Sequence, residues 1–306
     1  MRVLLAGATG AIGIPLLRAL PAAGHEVLAV VRNPAGAALV TRHGATPVLA
    51  DVMDRDGLLR AVDGVSADAV MHQATALRRA GRTLRATDPT IALRGPGTAH
   101  LLEAARAIGA RRFVTQSLIT GYGYRDHGGT PLTERDPFGV PVGNVGDLVA
   151  ASSLATESQV FAAAGIEGVA LRYGMFYGPG AFSDLFAGMM RKRVPLLARG
   201  RSGTTCFVHV DDAAAAAVAA LERGGAGRAY NVVDDVPMTW REFLGAVARA
   251  QGTPGPVPAP GWVIRAMVPY LGCLMIDTSM RVSRELAARE LGWAPAHASV
   301  EDGLKG

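Results

Sequence analysis

The chain has almost no lysine and almost no cysteine. Its 306 residues carry lysine only at Lys192 and Lys305 and cysteine only at Cys206 and Cys273. Two cysteines with no second cysteine or histidine at ligand spacing give neither a disulfide framework nor a zinc motif. No metal is expected, and a reducing cytoplasm suits such a chain. Arginine supplies nearly all the positive charge, and the net charge is +5. The arginines are scattered, without the basic stripe or interleaved aromatics of a nucleic-acid surface, so no nucleic-acid partner is expected. Long hydrophobic runs are also missing. A membrane-spanning helix needs about 20 unbroken apolar residues, and the greasiest stretch, WVIRAMVPYLGCLMI, is interrupted by Arg265 and Pro269. The opening MRVLLAGATGAIG is broken by glycines and lacks a cleavage site, which makes it a first strand and turn and not a signal peptide. No G-x-S-x-G elbow occurs, which disfavours a serine hydrolase.

Apolar residues make up 49% of the chain, enough to bury a large core without staples. Short apolar runs, RVLLA (2–6), EVLAVV (26–31), PVLA (47–50), ADAVMHQ (67–73), RRFVTQS (111–117) and GVALRY (168–173), alternate with helical patterns such as 14–23, 97–108 and 151–164. Strands alternating with helices imply right-handed crossovers and a parallel sheet covered on both faces. The expectation is an α/β chain, a Rossmann-type doubly wound parallel sheet with a smaller C-terminal substrate-binding lobe. The expected division is 1–173 for the Rossmann domain and 174–306 mainly for the lobe, with 206–233 returning to the sheet. The Gly-, Pro- and Asp-rich segment 124–147 is one long irregular connection.

Between the first strand and the first helix stands Gly7-Ala8-Thr9-Gly10-Ala11-Ile12-Gly13. Gly7 permits the turn, Gly10 lets a pyrophosphate approach the backbone, and Gly13 allows close helix packing. The helix N-terminus adds unpaired N–H groups. A glycine triplet alone is weak evidence, but in the first βα unit of such an alternation it marks a dinucleotide site. After the second strand, where an NAD site carries an acid, the sequence has Val31-Arg32, and Arg32 offers a fork for a ribose phosphate, favouring NADP(H). Asp51 and Val52 are placed at the adenine, and Gln73, Ala74 and Thr75 beneath the ribose and phosphate.

Together with LRYGMFYGPG (171–180), FVHVDDAA (207–214), YNVVDD (230–235) and RELGW (289–293), these segments resemble the extended short-chain dehydrogenase/reductase family over the whole chain. The resemblance implies a Tyr-x-x-x-Lys pair that moves the proton opposite the hydride. This chain departs from it. Alanines, Ala151 and Ala155, stand where the pair is aligned, Leu118 replaces the relay serine, and Arg94 replaces a supporting asparagine. Ser117, Thr120 and Tyr173 are the weak polar alternatives. Ser117, Tyr173 and Met175 are placed beside the nicotinamide, and Leu118, Thr120, Met175 and Phe176 line the substrate pocket. His72, and His209 with Asp211 and Asp212, are read as structural groups. Among family members the gaps are similar to those of ketoreductases from actinobacterial aromatic polyketide pathways, such as those acting on angucyclinones. The expected activity is NADPH-dependent reduction of an aromatic ketone whose own hydroxyl supplies the proton, in a monomer or homodimer without membrane or nucleic-acid partners. A sugar-nucleotide epimerase or dehydratase and a non-catalytic NADP(H)-binding redox sensor remain as alternatives.

Overall fold

The computed structural model describes residues 1–75 and 85–305. Seven parallel strands form the central sheet in the order β3-β2-β1-β4-β5-β6-β11. They are β1 (Arg2–Ala6), β2 (Glu26–Val31), β3 (Thr46–Leu49), β4 (Ala69–His72), β5 (Arg112–Leu118), β6 (Glu167–Tyr173) and β11 (Arg228–Val232). The strands are nearly continuous apolar runs because both faces are covered, and successive side chains part to opposite faces. Val3 and Leu5 of β1, with Val27, Ala29 and Val31 of β2, join one core. Leu4, Ala6, Leu28 and Val30 join the other. The first core is roofed by α1 (Gly13–Ala22), α2 (Pro34–Arg42) and the alanine-rich α8 (Val210–Arg223). The second is roofed by α3 (Arg55–Ala61), α5 (Pro96–Ala107) and the end of α6 (Asp147–Phe161); α4 (Pro89–Arg94) precedes α5.

Strand order reverses between β1 and β4, the switch point at which open α/β sheets bind ligands. A separate apolar cluster builds the lobe at this edge, from α7 (Phe182–Arg191), α9 (Trp240–Ala250) and residues 273–275. Within it Phe207 and Phe243 stack at 4.2 Å. Of the segment expected to return to the sheet, Arg228–Val232 does so beside β6. Phe207–His209 (β10) does not, and pairs in parallel with β7 (Met175–Tyr177) in a sheet of two strands. Two short strands, β8 (Pro195–Ala198) and β9 (Thr204–Thr205), also stay in the lobe.

Helix α6 begins at Asp147, before the apolar pattern suggests, because the Asp147 carboxylate accepts N–H bonds from Val142, Gly143 and Asn144 and turns the chain into the helix. The irregular connection before it is not loose. Bridges tie Asp126 to Ser279 and Leu132 to Val282. Beneath it lies a buried network. Arg172 on β6 donates from Nε and Nη2 to the two oxygens of Glu157 on α6, at 2.9 and 2.8 Å. Its Nη1 donates to the Tyr122 hydroxyl at 3.0 Å, and that hydroxyl donates to Asn231 at 2.8 Å. The guanidinium lies 3.6 Å from the centre of the Phe138 ring. Sheet, helix and connection are thereby joined through one cation. Among the described residues no helix is long and apolar enough to cross a membrane.

Candidate functional site

The glycine turn sits at the C-terminal end of β1, beside the end of β4. Gly7 has φ +94°, and a Cβ there would stand 2.5 Å from the Gln73 carbonyl carbon, so the turn and the β4 end approach too closely for any side chain. A Cβ on Gly13 would collide with the backbone of Gly7 and Ala8. Gly10 differs. A Cβ there meets only the Gly7 oxygen, at 3.2 Å, and otherwise points into open space. Thr9 is exposed on the rim, Ala11 is half-buried, and Ile12 is buried beneath the turn. Helix α1 has neither a capping side chain nor an acid in its first turn. The Ile14 N–H is already bonded to the Gly10 carbonyl at 3.2 Å and Pro15 has none, which leaves the N–H groups of Ile12 and Gly13 to face a phosphate.

The pairing of Ala6 with Val30 brings the end of β2 alongside this turn. Arg32 is exposed there, and among the described residues it pairs with no acid. Asn33 is occupied in capping α2, accepting from the Gly36 N–H at 2.8 Å. Asp51 is exposed, one oxygen accepting from the Met53 N–H at 2.9 Å, and Val52 is buried. Thr75 is exposed and Ala74 half-buried, the Ala74 carbonyl accepting from Gln116 at 2.7 Å.

At the ends of β4, β5 and β6 the structure holds polar atoms without partners. Among the described residues, both amide atoms of Gln73, the hydroxyls of Ser117 and Tyr173 and, just beyond β5, that of Thr120 are buried and reach no partner in good hydrogen-bond geometry, although Gln73 stands beside the Tyr173 hydroxyl and Thr120 beside that of Tyr124. Buried polar groups left unpaired are costly, and a cluster of them at a strand-end crevice signals a polar ligand. A nicotinamide ribose with its carboxamide fits this donor and acceptor set, and the cradle at Gly10 fits its pyrophosphate. Gly7, Gly10, the α1 N-terminus and Gln73 would hold a nicotinamide dinucleotide. Burial pushes the Tyr173 phenol far above its ordinary value, which makes it a poor acid. Its ring packs on Phe176, the centres 5.2 Å apart.

The aligned relay positions need correction. Ala151 and Ala155 are both exposed, on the side of α6 turned away from the sheet. The buried face carries Val149, Ser152, Ser153, Thr156, Glu157 and Val160. A slip of two residues rotates a helical position by about 200°. Several pairs four apart face inward, and the first of them is Val149 and Ser153. Val149 shares an apolar cluster with Leu118 and Met175, and the Ser153 hydroxyl donates to the Val149 carbonyl at 2.8 Å. Neither Val149 nor Ser153, nor any other residue of this buried face, is a tyrosine or a lysine. Phe176 also moves. Alternation along β7 sends it to the sheet core with Tyr173, away from Met175.

His72 is buried and its ring bonds to the Leu93 carbonyl at 3.2 Å, with burial pulling its pKa down to about 4. His209 caps α8, as the pattern suggests. The sequence hides two further groupings. Asp212 accepts N–H bonds from Ala296 and His297, and with His209 and His297 it forms a trio whose ligand-type atoms lie within 4.8 Å of one another. Those bonds commit the carboxylate to holding the C-terminal segment. The second is Arg94, buried beside Tyr124 and Tyr270, whose hydroxyls are 2.6 Å apart.

A Rossmann sheet with a phosphate cradle at its switch point and a lobe over its strand ends defines a nicotinamide-dinucleotide-binding protein of the extended short-chain dehydrogenase/reductase type. The chain belongs to the NAD dependent epimerase/dehydratase family, whose model matches residues 3–233. It is 38% identical to a 3-diazoavenalumate denitrifying reductase from Streptomyces sp, covering 99% of each chain. It is 29% identical to a 4-hydroxy-2-methyl-3-oxo-4-farnesyl-3,4-dihydroquinoline-1-oxide ketoreductase from Stigmatella aurantiaca, covering 96% of this chain and 92% of that one. Among solved structures it is similar to the UDP-glucose 4-epimerase of Thermus thermophilus in complex with NAD, with TM-score 0.79, 27% identity and coverage of 100% and 97%.

Proposed function

We propose that the protein is an NADPH-dependent reductase of an aromatic small molecule in secondary metabolism, acting on a hydride acceptor that takes no proton from the protein. The observation that supports this reading is the apolar wall at the strand ends: Leu118, Val149 and Met175 share one cluster, and the inward face of α6 beside it carries no tyrosine or lysine to move a proton. When bound, the cofactor supplies a hydride. The chain's part is to bind and orient both reactants and to keep water from the apolar wall of Leu118, Val149 and Met175. Sugar-nucleotide epimerisation and dehydration begin by removing a hydroxyl proton, and this wall offers no base.

Two acceptors meet the condition. At a diazo-bearing aromatic carbon, the hydride's electron pair makes the new C–H bond while the C–N pair leaves with dinitrogen, and no proton is consumed. The 38% identity to a denitrifying reductase over the full length favours this acceptor. In an aromatic hydroxyketone, of the angucyclinone polyketide kind, hydride adds to the carbonyl carbon and the new alkoxide takes the proton of the neighbouring hydroxyl. The likeness to a ketoreductase supports this second reading.

The test supplies NADPH deuterated at its transferable position with a diazohydroxybenzoate, an aromatic hydroxyketone, or the ketone's O-methyl ether. Dinitrogen is expected one for one with NADPH oxidised, with deuterium at the vacated carbon; if the ketone is turned over, its ether is not. No turnover above a protein-free control with any acceptor would favour a sensor, and isomerisation of UDP-glucose would establish the sugar-nucleotide alternative. The cofactor is checked separately. A guanidinium fork on a phosphate contributes about 1.5–3 kcal/mol, so Arg32→Ala should weaken NADPH about ten- to a hundredfold in calorimetric titration and leave NADH unchanged.

A further inference from the structure

Among the described residues two arginines are deeply buried, and they are of opposite kinds. Arg172 is neutralised by Glu157 in a bidentate pair. Arg94, only 2% exposed, pairs with no carboxylate among the described residues, and the segment 76–84 that precedes it in sequence contains no Asp or Glu. A buried charge without a counterion is strongly unfavourable. Arg94 is nonetheless fixed in place. Its carbonyl accepts from Thr98 and Thr156, each at 2.9 Å, and its Nη1 donates to Ser152 at 3.1 Å. Its Nη2 is buried with no hydrogen-bond partner among the described residues.

Around this nitrogen stand further polar groups. Tyr124 and Tyr270 share one hydroxyl–hydroxyl bond of 2.6 Å and lie within electrostatic reach of the guanidinium. The Thr120 hydroxyl lies beside that of Tyr124 and, among the described residues, has no other partner. Tyr124 belongs to the same apolar cluster as Leu118, Val149 and Met175, and the half-buried Tyr270 packs against it. A cation, three hydroxyls and the apolar wall of Leu118, Val149 and Met175 therefore adjoin at the edge where substrate is expected.

We propose that Arg94, with Thr120, Tyr124 and Tyr270, is a subsite for the carboxylate of an aromatic acid. The carboxylate supplies the counterion that the fold withholds, accepts from the free Nη2, and holds the ring against Leu118, Val149 and Met175. Arg94 is a positioning residue, since it binds the substrate at a distance from the reacting carbon. The substrate class rests on the reductase reading above, but the subsite is tested without turnover.

The probes are 4-hydroxycinnamate and its methyl ester, titrated calorimetrically into the NADP⁺-loaded protein. The acid is expected to bind and the ester to bind at least tenfold more weakly. Truncating one partner of a buried charge pair costs on the order of a hundredfold, so Arg94→Met should weaken the acid by that factor and leave the ester unchanged. Without ligand, Arg94→Met should melt at or above the parent's temperature, because a merely structural arginine would lower it on removal while an uncompensated one would not. Tyr270→Phe is the milder second variant and should weaken the acid severalfold. Equal affinity for acid and ester, no binding of either, or an unchanged affinity in Arg94→Met would overturn the subsite. Arg94-dependent binding of the acid with no hydride transfer to diazo or ketone acceptors would leave the subsite standing and refute the reductase reading.

Discussion

Placing valine at position 10 should abolish binding of NADPH while leaving the protein folded. The three glycines of the turn are alike in sequence and unlike in space. At Gly7 and Gly13 a side chain would strike backbone, so substitution there disturbs the turn itself. At Gly10 the new Cβ meets one carbonyl oxygen at 3.2 Å and otherwise enters open space, the space in front of the uncapped α1 N-terminus. The valine would occupy the volume that a pyrophosphate needs. Hydrogen bonds to a charged group contribute about 1.5–3 kcal/mol each. Losing two of them weakens binding by about a hundredfold at the least. Calorimetric titration should therefore find no NADPH binding to Gly10→Val at concentrations that saturate the parent, with melting temperatures within a few degrees of each other. Retained binding would place the phosphates elsewhere.

The second large effect falls on stability. Glu157→Ala should destabilise the protein by about 3–5 kcal/mol, because the Arg172 guanidinium would remain buried without its carboxylate. The two side chains are only 7% and 2% exposed, so water cannot readily replace the missing oxygens. The loss should show as an earlier urea midpoint. Combining Glu157→Gln with Arg172→Met removes both charges and should recover much of the loss, since two neutral groups of similar shape cost less than one orphaned charge. The Tyr122 and Phe138 contacts to Arg172 are forfeited in that double variant, so recovery should be partial. A single variant as stable as the parent would contradict this account.

The glycine turn between β1 and α1 was legible because it is local: Gly7, Gly10 and Gly13 lie within seven residues. The six sheet strands up to Tyr173 were legible for the same reason, each being an apolar run bounded by turn residues. What escaped depends on rotation or on distance. The sequence does not reveal which face of α6 turns inward, and a two-residue slip, such as that from Ala151 and Ala155 to Val149 and Ser153, reverses that face. Phe176 and Met175 are neighbours in sequence but point apart along β7. Phe207–His209 has the look of a sheet strand, yet its partner is Met175–Tyr177, decided by how the lobe packs. Arg94 registers in sequence only as a missing asparagine. Its significance comes from burial without an acid, which involves residues as far along the chain as Tyr270.

The order of the strands also bears on how the chain is made. On a ribosome, β6 emerges when residue 173 does, but its outer neighbour β11 follows only after residues 174–227 have been synthesised. Until then the β6 edge presents unpaired backbone N–H and C=O groups flanked by apolar side chains, the form of edge that captures other chains. The nascent protein should therefore be most prone to association when released short of Arg228, and fragments ending just before that residue should be markedly less soluble than those ending after Val233.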